Sequence, residues 1–363
     1  QTTSGSGPTN QTLTNSYDGS AWTTTASLGT AIYMNASSGA DGTSVITMGG
    51  WQPATTANTE EFTKSTSLIT AATWAAGGLL NTGRNHSSGL GATYDTAMVV
   101  QGGDATRSTA SESYDGSSWT ATNSALTATS TGAGTGTAAA GIVIEGSTAP
   151  TTFVSGVEEW NGSSWTDATA TGASHYSGTF FGQSQTSAVA AGGMSSWPLG
   201  ISSTTEIWNG SSWTTAPGAL LPGAVVYEYG IMAGTETAGL VGNAWPAPYQ
   251  QATYEFDGAT WTASTSTVVK HNNASSFGSQ TDAIVAGGAN GPPGTTTAAE
   301  GYDGTAWSTR PSQANTSKGG NRGSTSNTTS GGLAAGINPS PKAATEEYNG
   351  ETTAETASTL TTS

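Results

Sequence analysis

The sequence predicts an all-β fold, a ring of seven four-stranded antiparallel blades, and three observations predict it. The first is an aromatic–turn–tryptophan motif that recurs along the chain. It reads YDGSAW at Tyr17, YDGSSW at Tyr114, WNGSSW at Trp160 and Trp208, FDGATW at Phe256 and YDGTAW at Tyr302. Weaker copies start at Phe62 and Tyr348. The second is spacing. The leading aromatics are separated by 45, 52, 46, 48, 48, 46 and 46 residues, the length of one four-stranded propeller blade. The third is a short apolar run ending in glycine between successive motifs: at Gly50, Gly103, Gly146, Gly193, Gly242, Gly288 and Gly336. These glycines follow the motif tryptophans by 27 to 29 residues, so the two signals keep phase.

Each element has a local reason. Asp-Gly or Asn-Gly between two aromatics favours positive φ and a tight hairpin, so the aromatic and the tryptophan belong to adjacent antiparallel strands. The apolar run is a buried strand, and the loop after it leads to the aromatic strand. Phe62 and Trp74 are separated by 12 positions instead of 5, which reads as seven extra residues lengthening one hairpin. On that reading Trp22, Trp74, Trp119, Trp165, Trp213, Trp261 and Trp307 are equivalent and largely buried. Residues 1–12 are expected to be an N-terminal extension, 13–353 a single propeller and 354–363 a tail. The N-terminal hairpin is expected to close the ring against the last blade, because an unpaired sheet edge is a liability. A partial eighth blade is the alternative.

Composition narrows the functional classes. With 24 acidic and 8 basic residues the net charge is −16, which argues against nucleic acid or an anionic membrane as partner. There is no cysteine, hence no disulfide framework and no cysteine-based metal or redox centre. No apolar run approaches the ~20 residues of a membrane span. The first dozen residues are neither basic nor apolar, so no signal peptide is expected in this form. Few large aliphatic residues are present, and the periodic rings must supply the core, since each aromatic buries ~150–250 Å².

A hydrophobic run, a double glycine and then spaced Tyr and Trp together resemble the Kelch repeat over nearly the whole chain. The resemblance implies a Kelch-like β-propeller, although the basic residue common in Kelch repeats is mostly missing. The Ser/Thr-rich blades are similar to Kelch-like virion proteins of marine tailed bacteriophages. That likeness implies a structural or adhesive role in a virion or on another extracellular surface.

Candidate chemistry is sparse. Glutamates stand two residues before the hairpin aromatic at Glu60, Glu112, Glu158, Glu206, Glu300 and Glu346. They fall in different blades and cannot converge, so they are expected to accept hydrogen bonds from a neighbouring strand or blade. Motif aspartates (Asp18, Asp115, Asp257 and Asp303) exchange with Asn161, Asn209 and Asn349, as a turn tolerates and a catalytic acid does not. A copper oxidase of the galactose-oxidase type needs a Tyr–Cys link, and a sialidase needs converging arginines, of which the chain has Arg84, Arg107, Arg310 and Arg322. No catalytic residue, metal site or cofactor is therefore expected. His86, His175 and His271 lie 12, 10 and 10 residues after their own motif tryptophans, where the chain passes from an outer to an inner strand near one channel mouth. Trp51, Trp197 and Trp245, with Tyr249 near the third, lie in the loops after the glycine runs, which would open on the same face. These seven residues are the candidate binding set. Indoles suit sugar rings and protein partners alike. The expected partners are other virion or surface proteins, or a host-surface glycan. The competing expectation is a secreted propeller enzyme acting on polysaccharide, sialidase-like or lyase-like.

Overall fold

The aromatic hairpins form in the register their motif dictates. Tyr114 stands opposite Trp119, Trp160 opposite Trp165, Trp208 opposite Trp213, Phe256 opposite Trp261 and Tyr302 opposite Trp307. In all five the rings pack at 4.8 to 5.2 Å between centroids. The computed structural model describes residues 12–13, 15–17, 22–24, 27–29, 31, 36–41, 44–51, 55–63, 67–103, 106–196, 200–216, 221–222, 230–244, 251–291, 294–316, 328–337, 343–355 and 359–362. They fall into two compact units, residues 72–350 and residues 1–71 with 351–363.

The larger unit is a ring of six blades. Blade 1 comprises Ser88–Gly91, Ala97–Val100, Ser111–Tyr114 and Trp119–Ala121. Blade 2 comprises Ala133–Gly136, Gly141–Ile144, Val157–Trp160 and Trp165–Asp167. Blade 3 follows with Thr179–Ser184, Ser187–Ala191, Thr205–Trp208 and Trp213–Thr215. Blade 4 has Ile231–Thr235, Ala238–Gly242, Thr253–Phe256 and Trp261–Ser264. Blade 5 has Ser275–Gly278, Ala283–Ala286, Ala299–Tyr302 and Trp307–Arg310. Each is an antiparallel meander, and the first strands of blades 1 to 5 lie against one another in order. Blade 6 pairs Gly331–Ile337 with Ala344–Asn349, and its outer strand is Thr73–Ala76.

That last pairing corrects two expectations. The ring has six blades rather than seven, and it is closed by Thr73–Ala76 rather than by the first 25 residues. Trp74 does occupy the motif position, but opposite Tyr348, with ring centroids 5.1 Å apart. Phe62 stands opposite Val45 and Leu360 instead. The long gap between Phe62 and Trp74 is therefore no lengthened hairpin: its residues Ser67–Thr70 pair with Thr352–Glu355. The physical reason is that an outer strand needs only an exposed ladder edge, and a strand distant in sequence satisfies that edge as well as a neighbour.

The smaller unit repeats the device on its own. Ala36–Asp41, Ser44–Trp51 and Thr55–Thr63 form three strands of an antiparallel sheet, and Thr359–Thr362 adds the fourth. Tyr17 and Trp22 keep the motif register in a separate two-stranded hairpin.

A core with few large residues works because rings pack onto glycines of the next blade. A Cβ on Gly239 would stand 2.2 Å from the Phe181 ring, and one on Gly332 would stand 2.3 Å from the Phe277 ring. Inner-strand phenylalanines of blades 3 and 5 thus fill space that any side chain on blades 4 and 6 would occupy. The motif tryptophans seal the same interfaces further out. Trp119, Trp165 and Trp307 are buried, and Trp74, Trp213 and Trp261 are half-buried. The Trp119 indole N–H donates to Thr345 Oγ1 of blade 6, and that of Trp261 to Thr205 Oγ1 of blade 3.

Candidate functional site

The motif turns are structural. Between paired aromatics the chain makes a four-residue loop, longer than the two-residue turn that Asp-Gly suggests. Asp115 Oδ1 accepts from the Ser117 and Ser118 amides at 2.9 and 2.8 Å, and Asn161 Oδ1 does the same for Ser163 and Ser164 at 3.0 and 2.9 Å. The following glycine holds φ near +90° at Gly116, Gly162, Gly210, Gly258 and Gly304, a conformation glycine adopts at little cost. Hydrogen bonds from the Thr305 hydroxyl and the Ala306 and Thr305 amides hold the Asp303 carboxyl down from 3.8 to about 2. Its folded value is depressed, so its contribution is present above the unfolded value and lost as pH falls towards the folded one. Asp303→Asn is expected to melt like the parent at neutral pH, because Asn161 and Asn209 close the same loop, and to lose less below about pH 4. Thermal unfolding followed across acid pH checks both halves.

The repeated glutamates join the blades. Glu112, Glu158, Glu206, Glu300 and Glu346 are buried, and each accepts two successive amides of the segment that crosses over from the preceding blade. The pairs are Asn81 and Thr82, Leu126 and Thr127, Gly172 and Ala173, Val268 and Val269, and Ala314 and Asn315, at 2.7 to 3.4 Å. In the smaller unit Glu60 accepts the Gly29 amide at 2.9 Å. The carboxylates hold backbone, as the alternation argument expects.

Into three of these joints the chain inserts a base, four residues before the inner strand. Arg84 Nη1 donates to Glu112 at 2.8 Å, and its Nη2 donates to the Val99 carbonyl at 3.1 Å. His175 Nε2 lies 2.8 Å from Glu206 and its Nδ1 lies 2.8 Å from the Gly192 carbonyl. Both ring nitrogens are thus engaged, one by a backbone carbonyl and one by the carboxylate. His271 stands likewise, with Nδ1 2.8 Å from the Gly287 carbonyl, while its Nε2 lies 3.3 Å from Glu300 without hydrogen-bond geometry. Burial alone raises the Glu206 carboxyl. The bonds from His175 and from the Gly172 and Ala173 amides outweigh burial and hold it below the usual range.

The second joint, into blade 2, has no base. Thr129 stands at the position of Arg84, His175 and His271, and Glu145 stands where blades 3 and 5 have Gly192 and Gly287. The Glu145 carboxyl is pushed up to about 6, chiefly by burial, with the Thr127 hydroxyl opposing and hydrogen bonding to Glu158 adding to the rise.

One face carries features that no blade joint needs. Two residues before the inner strands of blades 1, 2, 3 and 5 stand His86, Thr131, Ser177 and Asn273, with φ of 51°, 60°, 55° and 56°. A β-branched residue in this left-handed region, as at Thr131, is strained backbone. The Thr131 amide donates to the His86 carbonyl at 2.9 Å, and the Ser177 amide to the Thr131 carbonyl at 3.3 Å. Asn273 Nδ2 approaches His86 Nε2 at 3.2 Å, linking blade 5 to blade 1. Together they form a polar rim. Beside it the loops after the glycine runs are built out as two-stranded hairpins. These are Ser147–Ala149 with Thr152–Phe153, Met194–Ser196 with Gly200–Ile201, and Ala289–Gly291 with Gly294–Thr295. Each hairpin bridges to the residue just before a rim position: Ser147 to Ser130, Met194 to Tyr176, and Ala289 to Asn272. Phe153 and Tyr176, both half-buried, stack at 4.1 Å with 9° between ring planes.

The expected binding residues therefore separate. His175 and His271 are buried inside joints, and His86 contributes to the rim. Trp51 ends a strand of the smaller unit, opposite Thr55. Trp197, Trp245 and Tyr249 lie outside the described residues. Sequence reasoning missed Thr131, Ser177, Asn273, Phe153 and Tyr176. Only their constant offset from the inner strand could have marked the rim residues, because their residue types differ.

The described residues of the larger unit thus define a six-bladed β-propeller with hairpins beside one rim. The chain is similar in fold to a solved structure of a protein called YjhT, with a TM-score of 0.57 and 12% sequence identity over 76% of this chain and 99% of that one. No family model matches the sequence, and no curated protein does either. The propeller fold serves enzymes such as sialidases as well as binding proteins, so function has to be argued from the site.

Proposed function

We propose that this protein is a non-enzymatic adhesive or structural component of an extracellular surface, a phage virion part that binds a glycan or a protein through the hairpin face of its propeller. The observation that carries the reading is the aromatic pair Phe153–Tyr176 where two neighbouring hairpins meet beside the rim. Flat half-buried rings offer the apolar contact that sugar rings and protein anchors use. The basic groups Arg84, His175 and His271 are engaged in blade joints, which supports a scaffold that spends its titratable side chains on stability. The virion part of the proposal rests on the likeness of the Ser/Thr-rich blades to Kelch-like virion proteins of marine tailed bacteriophages.

The test is attachment of purified protein to host cells and to a panel of neutral glycans. Tyr176→Ala and Trp197→Ala are expected to keep the fold, and the true anchor to lose ~2 kcal/mol or more of binding. Persistent release of sugar fragments without saturable attachment would instead favour a polysaccharide-cleaving enzyme.

A further inference from the structure

The ring contains its own control for the base-free second joint. In the joints into blades 1, 3 and 5 a buried carboxylate faces Arg84, His175 or His271. In the joint into blade 2 the backbone is the same: the Leu126 and Thr127 amides donate to Glu158 as those of Gly172 and Ala173 donate to Glu206. The side chains are not. The base is replaced by Thr129, 0% exposed, and the glycine by Glu145, 6% exposed. The Glu145 carboxylate lies over Gly156, where a Cβ would stand 2.3 Å from its Oε2, and Glu158, two residues on along the same face, is 0% exposed, so two buried carboxyl groups share the joint.

The surroundings supply little opposite charge. Glu158 comes from the third strand, and Asp167 stands across from it on the outer strand. The crossover offers the neutral hydroxyl of Thr127, and blade 1 offers Gln101, whose Nε2 donates to the Thr127 carbonyl at 3.0 Å and faces Glu158 at 3.4 Å. Arg107, from the loop of blade 1, bonds to Ser147, two residues beyond Glu145. Thr129 Oγ1 and Gln101 Oε1 are buried without a hydrogen-bond partner.

We propose that the joint between blades 1 and 2 is a proton-operated latch, in which a proton on Glu145 takes the place of the base that the joints into blades 1, 3 and 5 contain. With the proton, the pair is a hydrogen-bonded acid and carboxylate. Without it, two like charges share a buried joint and push apart.

The sign follows from the raised folded value. The latch contributes fully below the unfolded carboxyl value of 4.5 and is lost as pH rises through about 6. This runs opposite to Asp303 and Glu206, so a difference between variant and parent isolates it.

The full chain, Glu145→Gln and the double variant Glu145→Gly with Thr129→His are melted from about pH 4.5 to about pH 8. Glutamine keeps the hydrogen bond without titrating, and the double variant installs the chemistry of blades 3 and 5. Glu145→Gln is expected to match the parent at the acid end and to melt roughly 2–4 °C higher at the alkaline end. The double variant is expected to lose the parent's fall in melting temperature around pH 6.

A second measurement needs no variant. In the parent, amide exchange at Leu126 and Thr127, normalised to Gly172 and Ala173, is expected to rise about tenfold between the two ends of that range. Parallel melting curves together with a constant exchange ratio would overturn the proposal. So would added calcium ion raising the parent to the Glu145→Gln melting temperature at the alkaline end, because a metal ion would then fill the joint.

Discussion

Trp74→Ala is expected to destabilise the six-bladed ring by about 3 kcal/mol, at the low end for a buried tryptophan because this one is half-buried. The indole packs against Tyr348 at 5.1 Å and against Phe277 of blade 5 at 6.3 Å, so its loss opens a cavity at the seam where the ring closes. Ala75→Pro tests the backbone of the same closure. Ala75 stands opposite Glu347, and proline there removes a donor from the strand. Removing the Tyr17–Trp22 hairpin, which pairs with itself, is expected to leave the ring's transition in place. Thermal and denaturant unfolding of the three variants ranks them. Equal losses for the hairpin deletion and for Trp74→Ala would contradict closure by Thr73–Ala76.

Glu206→Ala is expected to cost still more, about 3–5 kcal/mol, because it leaves the buried His175 ring and the Gly172 and Ala173 amides without their shared acceptor at once. Adding His175→Leu should cost less than the sum of the single changes, since the second substitution removes the ring nitrogen that the first leaves without its partner. The folded Glu206 value is depressed, so its contribution is present above the unfolded 4.5 and lost as pH falls through the lower folded value. The cost of Glu206→Ala should therefore shrink in acid. A double-mutant cycle at about pH 7 and again at about pH 3 measures the coupling and its sign. A coupling independent of pH would show that the pair acts by shape rather than charge.

Much of this architecture is legible in the residues. The exchange of Asp115 for Asn161 and Asn209 marks a turn, and the side-chain oxygen of each accepts two amides as a turn requires. The periodic glutamates read as backbone acceptors and are so. The basic residues were harder. Their shared phase is visible, yet Arg84, His175 and His271 point into joints rather than towards a mouth, because a carboxylate some 30 residues onward in the chain waits there.

Tyr348 shows where sequence reading stops. Its motif ends in threonine and looks decayed, because the tryptophan it needs lies in the strand before blade 1. Strand pattern, turn chemistry and the joining role of the glutamates follow from residues within one repeat or from a constant offset between repeats. The number of blades, the closing strand, the rim and the carboxyl pair in the second joint emerge only on folding. Each of these is a contact between chain segments whose separation no local preference sets, and any free strand edge or buried polar group accepts the first partner that geometry brings to it.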